Sequence, residues 1–183
     1  MDLVKQIQNY KILRNFLIII IGSFLLTISA KIKIPFYPVP MTMQTFVVLM
    51  LGISLGPKIG VAAVVLYLLE GIVGIPVFSN SPEKGVGLIY FTGPTMGYLI
   101  GFIFACFLCG HFKMNTNLVL VFIKLTISVS VIYLLGILWL GSLIGWDKPI
   151  FSLGVKPFIL AEFFKILLLT LITKFLVKFR KFI

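Results

Sequence analysis

IPFYPVPMTMQT, residues 34–45, is the stretch that decides how this chain is built. Pro35, Pro38 and Pro40 each lack a backbone donor and push the preceding residue out of the α region. The stretch therefore reads as a fixed, non-helical loop. It lies between two apolar runs too hydrophobic for anything but membrane helices. In hydrocarbon, irregular backbone is tolerated only where it lines a cavity or lies at the surface. Tyr37, Thr42, Gln44 and Thr45 suit the loop to closing over something polar, as a lid. A plain interhelical connector is the alternative.

Working outward, composition sets the class. Of 183 residues, 60% are hydrophobic and 11% charged, and mean hydropathy is +1.17. A soluble domain is about half apolar and a quarter charged. We expect an all-α integral membrane protein, a single domain over residues 1–183 with six transmembrane helices in one compact bundle. The apolar run after Arg14 has no small-residue cleavage site and continues into the proline loop, so it does not read as a removable signal. The net charge of +11 comes from positives scattered singly between spans. That distribution fits membrane topology and not nucleic-acid binding.

Turn signals place the spans near 16–30, 41–55, 59–75, 93–110, 118–140 and 155–174. Several fall short of the roughly 20 residues that a perpendicular crossing needs. With the N-terminus inside, nine cations fall on the inner side: Lys5, Lys11, Arg14, Lys58, Lys113, Lys174, Lys178, Arg180 and Lys181. Five fall outside: Lys31, Lys33, Lys84, Lys148 and Lys156. The bias puts both termini in the cytoplasm of a multi-pass protein of the cell membrane. The outer lysines would give that mouth a positive potential suited to an anionic solute.

Two of the five acidic residues, Glu70 and Glu162, lie within spans. Glu162 and Lys165 are three apart in AEFFK and share one helix face. A charge within a span is costly and marks a functional site by default. Together the pair offers a ligand both an acceptor and a donor; a structural ion pair is the alternative. Glu70 reads equally as an interfacial carboxylate or a site residue. Gly93, Gly97 and Gly101 recur every four residues, a stripe for close helix packing, with Tyr98 beside it. Asn80, in the loop PVFSNSPEKG, is a hydrogen-bonding candidate or a turn asparagine. Trp146 and Tyr37 are candidate aromatic walls. Cys106 and Cys109 form CxxC with His111 one place too late for haem attachment, and read as core. No P-loop, Ser/His/Asp arrangement or metal-binding set is evident, so neither a cofactor nor catalysis is expected.

Four motifs in order, IPFYPVPMTMQTFVVLMLG, GIPVF, GPTMGYLIGF and PFILAEFFK, resemble the BioY family of biotin-specific substrate-binding (S) components of energy-coupling-factor (ECF) transporters. The resemblance spans residues 29–165. It implies a six-helix membrane subunit that captures biotin from outside. It implies, too, partners: a transmembrane coupling protein and a pair of cytoplasmic ATPases. Carried over by position, Glu162 and Lys165 match the family's acidic-x-x-Lys pair, with glutamate where aspartate is usual. Asn80 falls where the family has a ligand-contacting loop. Met96 replaces a usual glycine, and no arginine lies near the expected pocket. Biotin would meet Glu162 through its ureido N–H groups and Lys165 or Asn80 through its acceptors. Tyr37, Tyr98 and Trp146 would form walls, and Thr42 and Gln44 would bond the ligand or tie the loop down. Ser23, Thr27 and Ala30 on the first helix resemble a docking face for the coupling protein, with internal packing an equal alternative. An S component for thiamine or riboflavin, or a membrane-embedded enzyme using Glu70, Glu162 and His111, are the rival readings.

Overall fold

A computed structural model describes residues 2–35, 37–114 and 117–180, with side chains from Tyr10 onward. Phe36, within the proline loop, and Asn115 lie outside the described residues. The helices are α1 (Asp2–Lys31), α2 (Gln44–Ile72), α3 (Leu88–Phe91), α4 (Met96–His111), α5 (Leu118–Ile144), α6 (Ile150–Gly154) and α7 (Ile159–Arg180). A short antiparallel ribbon pairs β1 (Lys33–Ile34) with β2 (Met41–Thr42).

Helix α2 is two crossings in one. Gly56 has φ 76°, in the left-handed region that glycine adopts without a steric penalty, and Pro57 follows it at the start of a new helical run. The chain reverses there. Gly60 comes back against the Leu51 backbone, and Gln44 bonds Tyr67 across the two limbs. Residues 44–55 and 57–72 are thus the second and third of six antiparallel crossings, with α1, α4, α5 and α7 as the others. Each limb is short for a bilayer, as the sequence led us to expect. By contrast α1, α5 and α7 run longer than the expected spans, at 30, 27 and 22 residues.

Close approach follows from small residues where side chains would collide. A Cβ on Gly101 would stand 2.7 Å from Ile132 Cα, and one on Gly97 would strike the Leu135 carbonyl. The α4 stripe therefore packs against α5, and Trp139 Nε1 of α5 donates to Gly93 O at its outer end, 2.9 Å away. Cys106 and Cys109 are buried in the same core, where Cys109 donates weakly to Leu49 O. At the N- and C-terminal end of the bundle Arg180 donates to Gly110 O (3.0 Å) and lies against Gly56, locking α7, α4 and the α2 reversal together.

Of the two readings of the small residues on α1, docking and internal packing, the packing is visible here. Ser23 and Ala30 are wholly buried, and Thr27 is half-buried with its hydroxyl on the Ser23 carbonyl. Ser23 donates to Glu70 of the second α2 limb. These small residues hold α1 on the bundle; the outward face of α1 carries Phe16, Ile20, Phe24 and Ile28 instead.

Candidate functional site

Several polar side chains in the half of the bundle farther from the termini converge on one cavity. It lies beneath the proline hairpin, between the α2 limbs, α4, α5 and α7. About 50 Å³ of it is open to the centres of water molecules, room for roughly three or four waters.

The α7 pair anchors its floor. Glu162 and Lys165 are both buried and meet at 2.8 Å between Oε1 and Nζ. Lys165 has three donors, and all three are used: on Glu162 Oε1, on Thr45 Oγ1 (3.0 Å) and on Thr42 O of β2 (2.6 Å). Thr45 in turn donates to Glu162 Oε1 at 2.8 Å, and Tyr133 of α5 donates to the same oxygen at 3.1 Å. One carboxylate oxygen thus accepts three hydrogen bonds. The other, Oε2, is buried with no partner among the described residues. A buried carboxylate oxygen left unpaired is costly.

The walls are aromatic. Phe78 stacks on Tyr90 at 4.6 Å and stands edge-on to Tyr67 at 5.3 Å. Tyr98 and Tyr133 meet edge-to-face at 5.9 Å. Tyr98 sends its hydroxyl out to Gly154 O (2.9 Å), so its ring and not its hydroxyl faces the cavity chemistry. On the outer side, Ser79 and Tyr90 share a hydrogen bond of 3.2 Å and both line the cavity. The roof is Val39, Pro40 and Thr42 of the hairpin.

Glu162, Lys165, Gln44, Thr42 and Tyr98 all line this cavity. Gln44 is held by Tyr67 (2.8 Å) and Thr42 (3.1 Å), which ties the hairpin base to the second α2 limb. Asn80 lies next door, in a smaller recess with Lys84 and Thr95, and its Oδ1 accepts from Lys33. Tyr37 and Trp146 are not part of the lining. Tyr37 sits on the hairpin tip, 79% exposed beneath Lys84, and Trp146 lies 61% exposed against Gly141. Glu70 is spent on Ser23, outside the cavity. The outer lysines are also more occupied than their number suggests. Lys31 and Lys33 grip the carbonyls of Phe78, Ser81 and Ser79, and Lys148 pairs with Asp147 at 3.1 Å.

Sequence reasoning missed Tyr133, Tyr67 and Phe78. Tyr133 carries a readable signal: it is a phenol amid the apolar residues of a membrane helix, which needs a partner. Phe78 closes the GIPVF motif, but residue type alone does not separate it from the other 17 phenylalanines.

Fold and site define a class: a multi-pass helical membrane protein with a polar-floored, aromatic-walled cavity toward one end of the bundle. The sequence profile of the BioY family matches residues 4–182. A protein of Pyrococcus horikoshii named "Probable biotin transporter BioY" is 36% identical over 141 residues, 77% of this chain and 82% of the relative. The "Biotin transporter BioY" of Thermotoga maritima is 35% identical over 153 residues, 83% and 89% respectively. A crystal structure titled as the S-component for biotin from an ECF-type ABC transporter superposes with TM-score 0.78 and 26% identity, covering 93% of this chain and 94% of that one. The chain belongs to the BioY family.

The buried pair makes a stability prediction. Removing one partner strands the other charge, a loss of about 3–5 kcal/mol. Lys165→Met should therefore unfold at a clearly lower temperature in detergent than the double variant E162L/K165M, which strands no charge. Equal destabilisation of the single and double variants would show that neither charge depends on its partner.

Proposed function

We propose that the chain is the biotin-binding subunit of an ECF-type ABC importer, capturing biotin at the outer face for ATP-driven uptake. One observation carries the reading. Glu162 lines the cavity among aromatic rings, and its buried Oε2 has no hydrogen-bond partner among the described residues. Biotin carries two ureido N–H donors on an apolar fused ring system. An ionised carboxylate oxygen only accepts, so an N–H of the ureido ring is its complement. Phe78, Phe102 and Phe158 then cover the apolar rings. Kinship to proteins named as biotin transporters, and the superposition on a biotin S-component, support the same ligand.

Lys165 acts through Glu162 in this reading. Its three protons hold the carboxylate and the hairpin, so it keeps Glu162 oriented. The chain has no P-loop, and the energy comes from partners: a coupling protein in the membrane and two cytoplasmic ATPases. Equilibrium dialysis of the purified subunit with labelled biotin is expected to show one saturable site that excess thiamine leaves untouched. Losing a hydrogen bond to a charged group is worth about 1.5–3 kcal/mol, so Glu162→Ala should weaken binding roughly 10- to 100-fold. Lys165→Ala should do the same by releasing the carboxylate. Unchanged biotin affinity in both variants would confine the pair to a structural role. A saturable site for thiamine and none for biotin would overturn the assignment.

The hairpin is the lid. The closed cavity is too small for a bicyclic ligand, and its roof is Val39 and Pro40, held by Lys165 on the Thr42 carbonyl. Prolines leave the open loop few conformations to lose on closing. Glycine at Pro38 and Pro40 together should raise the biotin dissociation rate more than it lowers the association rate. A spin label at position 37 should lose mobility when biotin is added; equal mobility would leave a rigid rim in place of a lid.

Both termini are cytoplasmic in this proposal, on the nine-to-five bias of cations. Ser81 is a poor reporter because it is buried on the Phe78 carbonyl. Glu83, with 76% of its side chain exposed, and the exposed Lys113 are better. In a background without Cys106 and Cys109, an impermeant thiol reagent on intact cells should label E83C and spare K113C. The reverse pattern inverts the topology.

A further inference from the structure

A second cavity has no part in the biotin site. Helices α1 and α7 each pack on α2. Between them, on the half of the bundle nearer the termini, they leave a groove of about 290 Å³ open to the centres of water molecules. Its walls include Ile18 and Leu25 of α1, Met50 and Leu55 of α2, and Phe175 and Phe179 of α7. The hydroxyl in it, Ser54, is already spent on the Met50 carbonyl at 2.7 Å. The groove therefore offers an occupant apolar contact alone, and in a bilayer the material at hand is an acyl chain.

The rim of the groove is different. Lys58 follows Leu55 by three residues, at the α2 reversal, and Lys178 directly precedes Phe179. Lys11 lies seven residues before Ile18, roughly 10 Å lower on the same face of α1. All three lysines are exposed. The ion pairs among the described residues, Lys33–Glu83, Lys148–Asp147 and Lys165–Glu162, all lie in the other half of the bundle. Apart from Asp2, no acidic residue of the sequence falls at this end. A cationic collar thus stands at the membrane surface directly beyond an apolar slot.

We propose that this groove seats a phospholipid with an anionic headgroup, its acyl chain against Phe175 and Phe179 and its phosphate among Lys11, Lys58 and Lys178. The charge complementarity selects this occupant. A neutral lipid would fill the slot and leave the collar unpaired, and an apolar protein helix would do the same. The inference rests on the membrane-spanning fold and is independent of what the central cavity binds.

Tryptophan quenching by brominated lipids tests it on the full chain in bilayers. Phe175→Trp places a reporter in the groove, with Phe179→Trp as a second should the first fail to fold. Ile123→Trp places one on the lipid-exposed face of α5 near the same membrane end. The signal of the unsubstituted protein, from Trp139 and Trp146, is subtracted. Each juxtamembrane lysine contributes measurably to anionic-lipid attraction. Brominated phosphatidylglycerol should thus associate at position 175 at least about fivefold more strongly than brominated phosphatidylcholine. At position 123 the two lipids should differ little. The combined K11Q/K58Q/K178Q substitution should bring the preference at 175 down to the value at 123. Three results overturn the proposal. Equal preference at both positions means only general enrichment of anionic lipid around a cationic protein. A preference that survives the triple substitution removes the collar from the account. Absence of quenching at 175 and 179 by either lipid means that the groove is closed to lipid, as a second copy of this chain would close it.

Discussion

The half of this protein farther from its termini depends on one ammonium group. Lys165 is buried in a membrane helix, where an unpaired charge is among the costliest things a chain can hold. Three acceptors relieve that cost, and each comes from a different part of the chain: Glu162 from its own helix, Thr45 from the start of α2, and the Thr42 carbonyl from the ribbon. The last of these matters most for architecture. A proline-rich loop cannot satisfy its own backbone through helix or ladder bonds, and here a side chain from the far end of the sequence accepts that task. Desolvation thus turns one lysine into the clasp between the last helix and the first loop.

The rest of the site follows from that clasp. With the hairpin held over α7, Thr45 and Tyr133 are brought to one oxygen of Glu162, and the second oxygen is left without a partner. The opposite wall is fastened separately. Lys31, at the end of α1, and Lys33, in β1, take the carbonyls of residues 78, 79 and 81, which sets Phe78 between Tyr67 and Tyr90. Two sets of lysine–carbonyl bonds therefore organise two irregular segments, and the cavity is what remains between them. Two of the five cations that looked like an electrostatic funnel in the sequence, Lys31 and Lys33, serve as backbone ligands.

The end near the termini is organised by shape where the outer end is organised by charge. Gly56 and Pro57 reverse the chain without a loop, Gly110 lets α4 meet that reversal, and Arg180 closes the joint. The short limbs of α2 and α4 leave α1 and α7 projecting alongside them, which opens the groove between those longer helices. In water such a slot would collapse or aggregate. In a bilayer the surrounding medium is itself apolar, and the slot costs little.

The sequence by itself determined the membrane class, the six crossings and the Glu162–Lys165 face; of the non-helical loop expected over residues 34–45, the described residues up to Met43 are non-helical, while Gln44 and Thr45 open α2. All of these rest on local quantities: hydropathy along a run, the missing donor of proline and the 3.6-residue period of one helix. It also carried the packing sense of the Gly97 and Gly101 stripe. Only the tertiary structure decided which of the flagged residues meet. Tyr37 and Trp146 are good aromatic candidates on type, yet one sits at a hairpin tip and the other folds back on Gly141. Ser23 and Ala30 have the spacing of an interface and are turned inward. Tyr133 went unread because a single phenol in an apolar helix has no partner within its own turn; its partner is 29 residues away. Hydrogen bonds across such separations depend on how helices are rotated against one another. That rotation is set by the summed packing of the bundle, which no single segment encodes.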